Sequence, residues 1–222
     1  MGYGNMGKGY AKTLSSLNIP FDYYDPPLGK DKFADFTHAI ITTPISKHYE
    51  SYNIIKNYIN DENIMIIKPV AFLPNEISLL NKNIFFGMSE RYNDKILKLN
   101  FNYNYIEFNR FNDKCDGYPL YDLGIHDLDI FFEKVQTNHT LTEVIHNKNY
   151  YKLTFLNENQ KVVIQGGIDG KMRSITTGNV IINLIGNVNY HQQIKDFIGG
   201  KQSKAKKAHL FLSNLYNLFH TS

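Results

Sequence analysis

The chain has 222 residues, 42% hydrophobic and 20% charged, which excludes a disordered tail or a coiled coil and allows one sizeable domain or two small ones. Its 24 Lys and Arg stand against 21 Asp and Glu, a net charge of +3 that is too small to call for nucleic acid. The single Cys115 rules out an intrachain disulfide framework, no apolar run approaches membrane-spanning length, and no basic segment leads into an apolar core at the N-terminus, so a cytoplasmic, reducing compartment is expected with no membrane partner.

Gly2, Gly4 and Gly7, with Asn5 and Met6 between them, have GxGxxG spacing, and Ala11, Leu14 and Leu17 give the next segment a helical apolar face. In such a loop the first glycine allows a tight turn, the second lets a pyrophosphate approach and the third lets the helix pack closely on a sheet. The phosphates then meet the free N–H groups of the helix N-terminus. Residues 19–24 read as a strand ending at Asp25, which follows Gly4 at about the twenty-residue distance of a ribose-binding acid. The fingerprint should follow a strand of its own, and only Met1 precedes Gly2. That central strand is expected to be missing, or supplied by another segment.

Residues 38–43 read as a buried parallel strand, Ser46 as a helix N-cap, and 47–59 as a helix with Tyr52, Ile55 and Ile59 inward. Short apolar strands follow at 63–67, closed by Lys68–Pro69, and at 83–88, with Pro74, Ile77 and Leu80 on or near a helix between them. This alternation predicts a parallel sheet, and Gly4, Asp25, Thr43, Lys68 and Glu90 all fall near strand carboxyl ends, where ligands collect.

From about Asn93 the pattern turns strand-rich. Phe101, Tyr103 and Tyr105 are expected on one face, with Phe108 breaking the period. Residues 150–156 and 161–168 read as an antiparallel pair, and 173–186 as another strand or two. Leu128, Phe131, Phe132 and Val135 form a helical apolar face. Further helices are expected at Tyr190–Phe197, stopped by Gly199–Gly200, and at Lys204–Phe219. The expected organisation is α/β: a Rossmann-like doubly wound parallel sheet over residues 1–92, a small α+β domain with an open, largely antiparallel sheet over 93–200, and a C-terminal helix over 201–222.

Asp122, His126, Asp127 and Asp129 form the densest chemical cluster. Asp122 and His126 are one helical turn apart, and a histidine beside a carboxylate can serve as general acid or base. The same residues also suit a plain capped helix start with a buried histidine. His126, Asp122 and Asp129 have no HExxH pattern or cysteine ligand set beside them, and no metal is expected.

Read together and in order, GYGNMG at Gly2–Gly7, ITTPISKH at Ile41–His48, IKPVA at Ile67–Ala71, SERYN at Ser89–Asn93 and DLGIHDLD at Asp122–Asp129 resemble the motifs of the Gfo/Idh/MocA family of nicotinamide-dependent oxidoreductases. The resemblance implies cofactor contacts from Gly2, Gly4, Asn5, Met6, Gly7, Asp25, Thr43, Pro44, His48 and Lys68. It implies substrate contacts from Lys68, Arg91, Asp122 and His126, and catalysis by Lys68, Asp122 and His126. Lys68 would polarise the reacting oxygen, His126 would exchange its proton, and Asp122 would assist both. Hydride would pass between the nicotinamide and a carbon of a sugar, sugar derivative or polyol. The Asp25 carboxylate would repel a 2′-phosphate, so NAD(H) is expected in preference to NADP(H). Some family members dimerise through the open sheet, which implies a homo-oligomer. Ile67 stands where the family's motif carries Glu, so Lys68 lacks that acidic neighbour. A chain that binds nucleotide or sugar without turnover, or one that serves only as an interaction protein, remains the alternative.

Overall fold

The computed structural model describes residues 4–24, 35–68, 83–115, 118–135, 138–186, 188–201 and 205–220. Its contacts divide the chain into two units, one comprising Met1–Ser89 with Asn189–Ser222 and the other Glu90–Val188.

In the first unit, helix α1 (Asn5–Ser16) buries Tyr10, Ala11 and Thr13. Strand β1 (Ala39–Ile41) leads through a 3-10 turn, Ile45–Lys47, into α2 (His48–Ile55), followed by β2 (Ile64–Ile67) and β3 (Phe85–Gly87). The strands form a three-stranded sheet in the order β1-β2-β3, parallel throughout, with Ile41 opposite Ile66 and Ile67 opposite Gly87. Every residue of β2 is buried, as a central parallel strand covered on both faces requires. Tyr52, Ile55 and Ile59 face inward as predicted, but α2 stops at Ile55 and Ser46 makes no cap, because Pro44 already starts the 3-10 turn.

Residues 19–24 are irregular rather than a strand. A strand exists only by pairing, and this segment pairs with no strand among the described residues.

The second unit starts with α3 (Asp94–Leu97), capped by the Asn93 side chain, which accepts a hydrogen bond from the Lys95 N–H at 3.1 Å. Strand β4 (Tyr105–Asn112) follows, then a five-residue π-helical turn, Leu120–Gly124, that runs directly into α4 (Ile125–Lys134). Strands β5 (Thr140–His146), β6 (Tyr150–Leu156), β7 (Lys161–Gly167), β8 (Lys171–Thr177) and β9 (Val180–Asn183) complete a six-stranded sheet in the order β5-β6-β7-β4-β8-β9. Only the β4–β7 pair is parallel.

The face of β4 differs from expectation. Ile106, Phe108 and Arg110 point inward, while Tyr105 is half-buried and Tyr103 is largely exposed before the strand begins. Phe108 therefore sets the buried period, and Phe101 joins the core by stacking on it at 6.4 Å between ring centroids. The π-helical turn and α4 cover this inner face, with the Phe131 ring 4.4 Å from that of Phe155 on β6.

Two C-terminal helices, α5 (Tyr190–Ile198) and α6 (Lys206–His220), group with the parallel sheet, whereas the sequence reading ran the second unit on to residue 200. Successive strand residues point to opposite faces. Phe85 on β3 meets Phe197 of α5, and Phe86 meets His209 of α6, so the two helices cover opposite sides of the sheet. Gly200, at φ +72°, ends α5 where the sequence predicts. Among the described residues no helix is long and apolar enough to cross a membrane.

Candidate active site

The first unit places its candidate residues at the carboxyl edge of one sheet. Because β1, β2 and β3 are parallel, Thr43 and Lys68 leave the sheet on the same side. Lys68 follows β2 directly and is half-buried. His48, 1% exposed at the start of α2, lies with Nε2 2.7 Å from the Thr43 carbonyl oxygen. A carbonyl only accepts, so Nε2 carries the hydrogen and donates it. The Thr43 hydroxyl lies 3.2 Å from that of Ser51. His48 thus fixes the Thr43–Pro44 loop from beneath rather than facing outward.

Gly4 is the N-cap of α1 and makes no side-chain cap, and the first turn of α1 contains no acidic residue. Gly4, Asn5 and Met6 are exposed and Gly7 is half-buried. A Cβ added at Gly4 would meet nothing within 4 Å. A helix start with no side-chain cap and no acidic residue in its first turn suits a pyrophosphate. Gly2 and Asp25 lie outside the described residues.

In the second unit, Pro119 to Phe131 is buried at every position except Asp122, which is half-buried. Asp122 lies in the π-helical turn and His126, 6% exposed, in the first turn of α4. A π-helical turn inserted in a helix re-aims side chains and is common at functional sites. Gly124 sits between the two residues because the Tyr151 ring presses on it. A Cβ there would lie 3.1 Å from that ring. Tyr151 is wholly buried, and its hydroxyl has no hydrogen-bond partner among the described residues.

Arg91, expected at the substrate, is engaged internally. Its Nε and Nη2 donate to the two oxygens of Asp129, both at 2.6 Å, and Nη1 lies 3.3 Å from Glu133. Burial works against the Arg91 charge, but Asp129 and Glu133 overcome it and hold its pKa above the ordinary value. Asp129 is therefore occupied. Among the described residues no group of three His, Cys, Asp or Glu side chains is placed to hold a metal ion.

Beneath these residues lies a buried ionic cluster. Arg110 donates to Asp127 from Nε at 3.0 and 3.1 Å and from Nη2 at 2.7 Å, with Nη1 3.5 Å from Glu90. Arg173 pairs with the same Glu90 carboxylate. Glu90 is thus a support rather than a member of the strand-end group to which its sequence position assigned it. Burial alone would raise the Glu90 pKa, but the two guanidiniums more than reverse this and leave it lowered. Burial pushes Asp127 up against the pull of Arg110, and Arg110 itself is held charged well above its ordinary range. The sequence reading missed this cluster. Its signal was Arg110, in phase with the inward Ile106 and Phe108, since a buried guanidinium demands a buried carboxylate.

A three-stranded parallel sheet with a glycine-capped helix, followed by a helix-covered open mixed sheet, is an arrangement this chain shares in fold with solved oxidoreductases, one of them described as a Gfo/Idh/MocA family member. The chain is similar to the WlbA dehydrogenase of Thermus thermophilus, solved with NAD and α-ketoglutarate, at a TM-score of 0.67 and 14% identity over 82% of this chain and 72% of that one. It is also similar to a Gfo/Idh/MocA family oxidoreductase from Vibrio cholerae, at a TM-score of 0.62 and 11% identity over 96% and 87% of the two chains. A third similar structure is a variant of KijD10, a 3-ketoreductase from Actinomadura kijaniata, in complex with TDP-benzene and NADP, at a TM-score of 0.60 and 8% identity over 95% and 84%. No protein-family model and no curated protein sequence matches the chain.

Proposed function

We infer that the chain is an NAD(P)-dependent oxidoreductase of the Gfo/Idh/MocA family, acting on a CH–OH or C=O group of a sugar, sugar derivative or polyol. The observation that carries this reading is Asp122, the one half-exposed position in a buried run, set in a π-helical turn just before His126. The exposed start of α1, at Gly4, Asn5, Met6 and Gly7, would hold the pyrophosphate, with Gly2 completing the loop and Asp25 holding the ribose. Thr43 and Pro44, propped by His48, would line the same edge. When bound, the nicotinamide supplies the acceptor or donor of hydride. Lys68 holds and polarises the reacting oxygen, His126 takes or returns its proton, and Asp122 orients the histidine and the substrate hydroxyl. Arg91 acts at the substrate through the helix it anchors, since Asp129 and Glu133 engage its guanidinium.

The test is NADH absorbance against a panel of sugars and polyols, with cofactor titration of each variant. Lys68→Ala and His126→Ala should each lower turnover by about 10²–10⁴-fold, His126→Ala leaving NADH affinity within about threefold and Lys68→Ala, at a residue expected to touch the cofactor as well, losing far less in NADH affinity than in rate. Turnover that survives both substitutions overturns the assignment. So does a loss of NADH binding equal to the loss of rate.

A further inference from the structure

One row of the six-stranded sheet runs beneath the segment that carries Asp122 and His126. Tyr151 on β6 lies opposite Gly166 on β7, Gly166 opposite Arg110 on β4, and Arg110 opposite Arg173 on β8. Residues opposite one another in neighbouring strands present their side chains to the same face, and the π-helical turn packs on β4, β6 and β7. Gly166 gives this row its shape. It puts no side chain between Tyr151 and Arg110, and the Tyr151 hydroxyl lies 2.8 Å from the position that a Cβ would take there, so the tip of the ring fills the space above the glycine.

The row grips residues 122–127 at two points. The first is Gly124, where the Tyr151 ring and Leu120 Cδ1 each stand 3.1 Å from an added Cβ. The second is Asp127, which accepts from Arg110 Nε at 3.0 and 3.1 Å and from Nη2 at 2.7 Å. His126 lies between the two points, and Asp122 lies two residues ahead of the first. A π-helical turn carries one residue more than an α-helical turn, which rotates the side chains ahead of it by about 100° against those that follow. The aim of Asp122 at His126 therefore depends on what holds the turn. The Tyr151 hydroxyl takes no part in that hold, since it has no hydrogen-bond partner among the described residues. The ring supplies it.

We propose that Tyr151 is a positioning residue for the reaction: its ring, braced over Gly166 and against Gly124, fixes the π-helical turn and with it the aim of Asp122 at His126. The proposal rests on the reading of Asp122 and His126 as the acid–base pair. Tyr151 touches neither cofactor nor substrate in this role. It is wholly buried and acts only through Gly124. The contact is a close packing of rigid parts, so a change of one methyl group on either side is felt by the turn.

The experiment combines steady-state kinetics on the sugar and polyol panel with crystal structures of the variants, which need no turnover. Tyr151→Leu removes the ring, and Gly124→Ala disturbs the same contact without opening a cavity. Each should lower kcat by about 10²-fold, the loss that a misplacement of about 1 Å produces, with KM and NADH affinity within about threefold of wild type. Because both act through one contact, the double variant should be no more than about threefold slower than the slower single one, whereas independent effects would multiply to about 10⁴-fold. Tyr151→Phe keeps the ring and should keep kcat within about threefold. Phe155→Leu opens a cavity on the same face of β6, against Phe131, and should lower Tm with kcat within about threefold. In the crystal structures the Asp122 carboxyl should move by about 1 Å or more relative to the His126 ring in Tyr151→Leu and Gly124→Ala, and stay in place in Tyr151→Phe. An unmoved Asp122 in Tyr151→Leu overturns the proposal, as does a kcat for that variant equal to that of Phe155→Leu. An Asp122 that moves as expected in a chain that turns over no sugar or polyol bears out the hold on the turn and counts against the reading of the reaction alone.

Discussion

Replacing Arg110 with Met tests whether the ionic cluster beneath Asp122 and His126 is desolvated. Glu90, Asp127 and Arg110 are 2%, 2% and 4% exposed, and with Arg173 they form a neutral set of two carboxylates and two guanidiniums. Methionine fills much of the arginine stem's volume but leaves a net negative charge buried. Breaking such a pair costs about 3–5 kcal/mol. Protonation sets a ceiling on that cost. Holding one carboxyl neutral at pH 7.5, against an unfolded pKa of about 3.9, costs about 3.6 pH units at 1.36 kcal/mol each, or about 5 kcal/mol. At pH 5.5 the same ceiling is about 2 kcal/mol. The sign follows from linkage. Removing Arg110 raises the folded-state pKa of Asp127, so the folded state binds a proton that the unfolded state does not, and stability rises as pH falls. In the wild type Arg110 pulls the same carboxyl down and the gain is smaller. The lowered Glu90 pKa acts oppositely. It contributes stability above its unfolded pKa of about 4.5 that is lost as pH falls further. The chain has no Trp, so urea unfolding at pH 7.5 and 5.5 is best followed by far-UV circular dichroism. Expected is a loss of about 3–5 kcal/mol at pH 7.5, of which up to about 3 kcal/mol returns at pH 5.5. A variant within about 1 kcal/mol of wild type at pH 7.5, or one that regains nothing on acidification, would refute a desolvated cluster.

Tyr151→Phe removes a buried hydroxyl that has no hydrogen-bond partner among the described residues. Burial, with Asp127 nearby, pushes its pKa well above the tyrosine value and keeps it protonated. The variant should gain about 1 kcal/mol, or roughly 2–4 °C in Tm by thermal unfolding, and a lower Tm would show that the hydroxyl is satisfied. Gly166→Ala puts a Cβ onto the Arg110 carbonyl and 2.8 Å from the Tyr151 hydroxyl, so β7 and β4 must part. Expected is a loss of about 3 kcal/mol, and a Tm within 2 °C of wild type would contradict the close approach. With Asp25 proposed at the ribose, calorimetric titration should give tighter binding of NADH than of NADPH, and the reverse order would remove Asp25 from that site.

Patterns that one element satisfies by itself were legible in the sequence. The apolar runs at β1, β2 and β3, spaced by helical segments, could only be buried parallel strands, and the β6–β7 hairpin followed from its alternation. The order of short motifs around Thr43, Lys68, Asp122 and His126 was equally local.

Properties that depend on a partner far away in the chain were decided by tertiary structure. Residues 19–24 carry a strand's composition but join no ladder among the described residues. The face of β4 was ambiguous because aromatic residues occupy both phases, and packing beneath α4 selected Phe108 over Tyr103. Arg91 and Glu90 look alike in sequence as polar residues after a strand. Only the arrival of Asp129 and Glu133 on α4, and of Arg110 and Arg173 on β4 and β8, turned both into buried ion pairs. Likewise nothing local in Leu120–Gly124 announces a π-helical turn. It forms where Gly124 lets the Tyr151 ring approach, a contact between residues far apart in sequence. Periodicity determines which face a segment offers, but the charge state, exposure and aim of a side chain depend on what the fold brings against it.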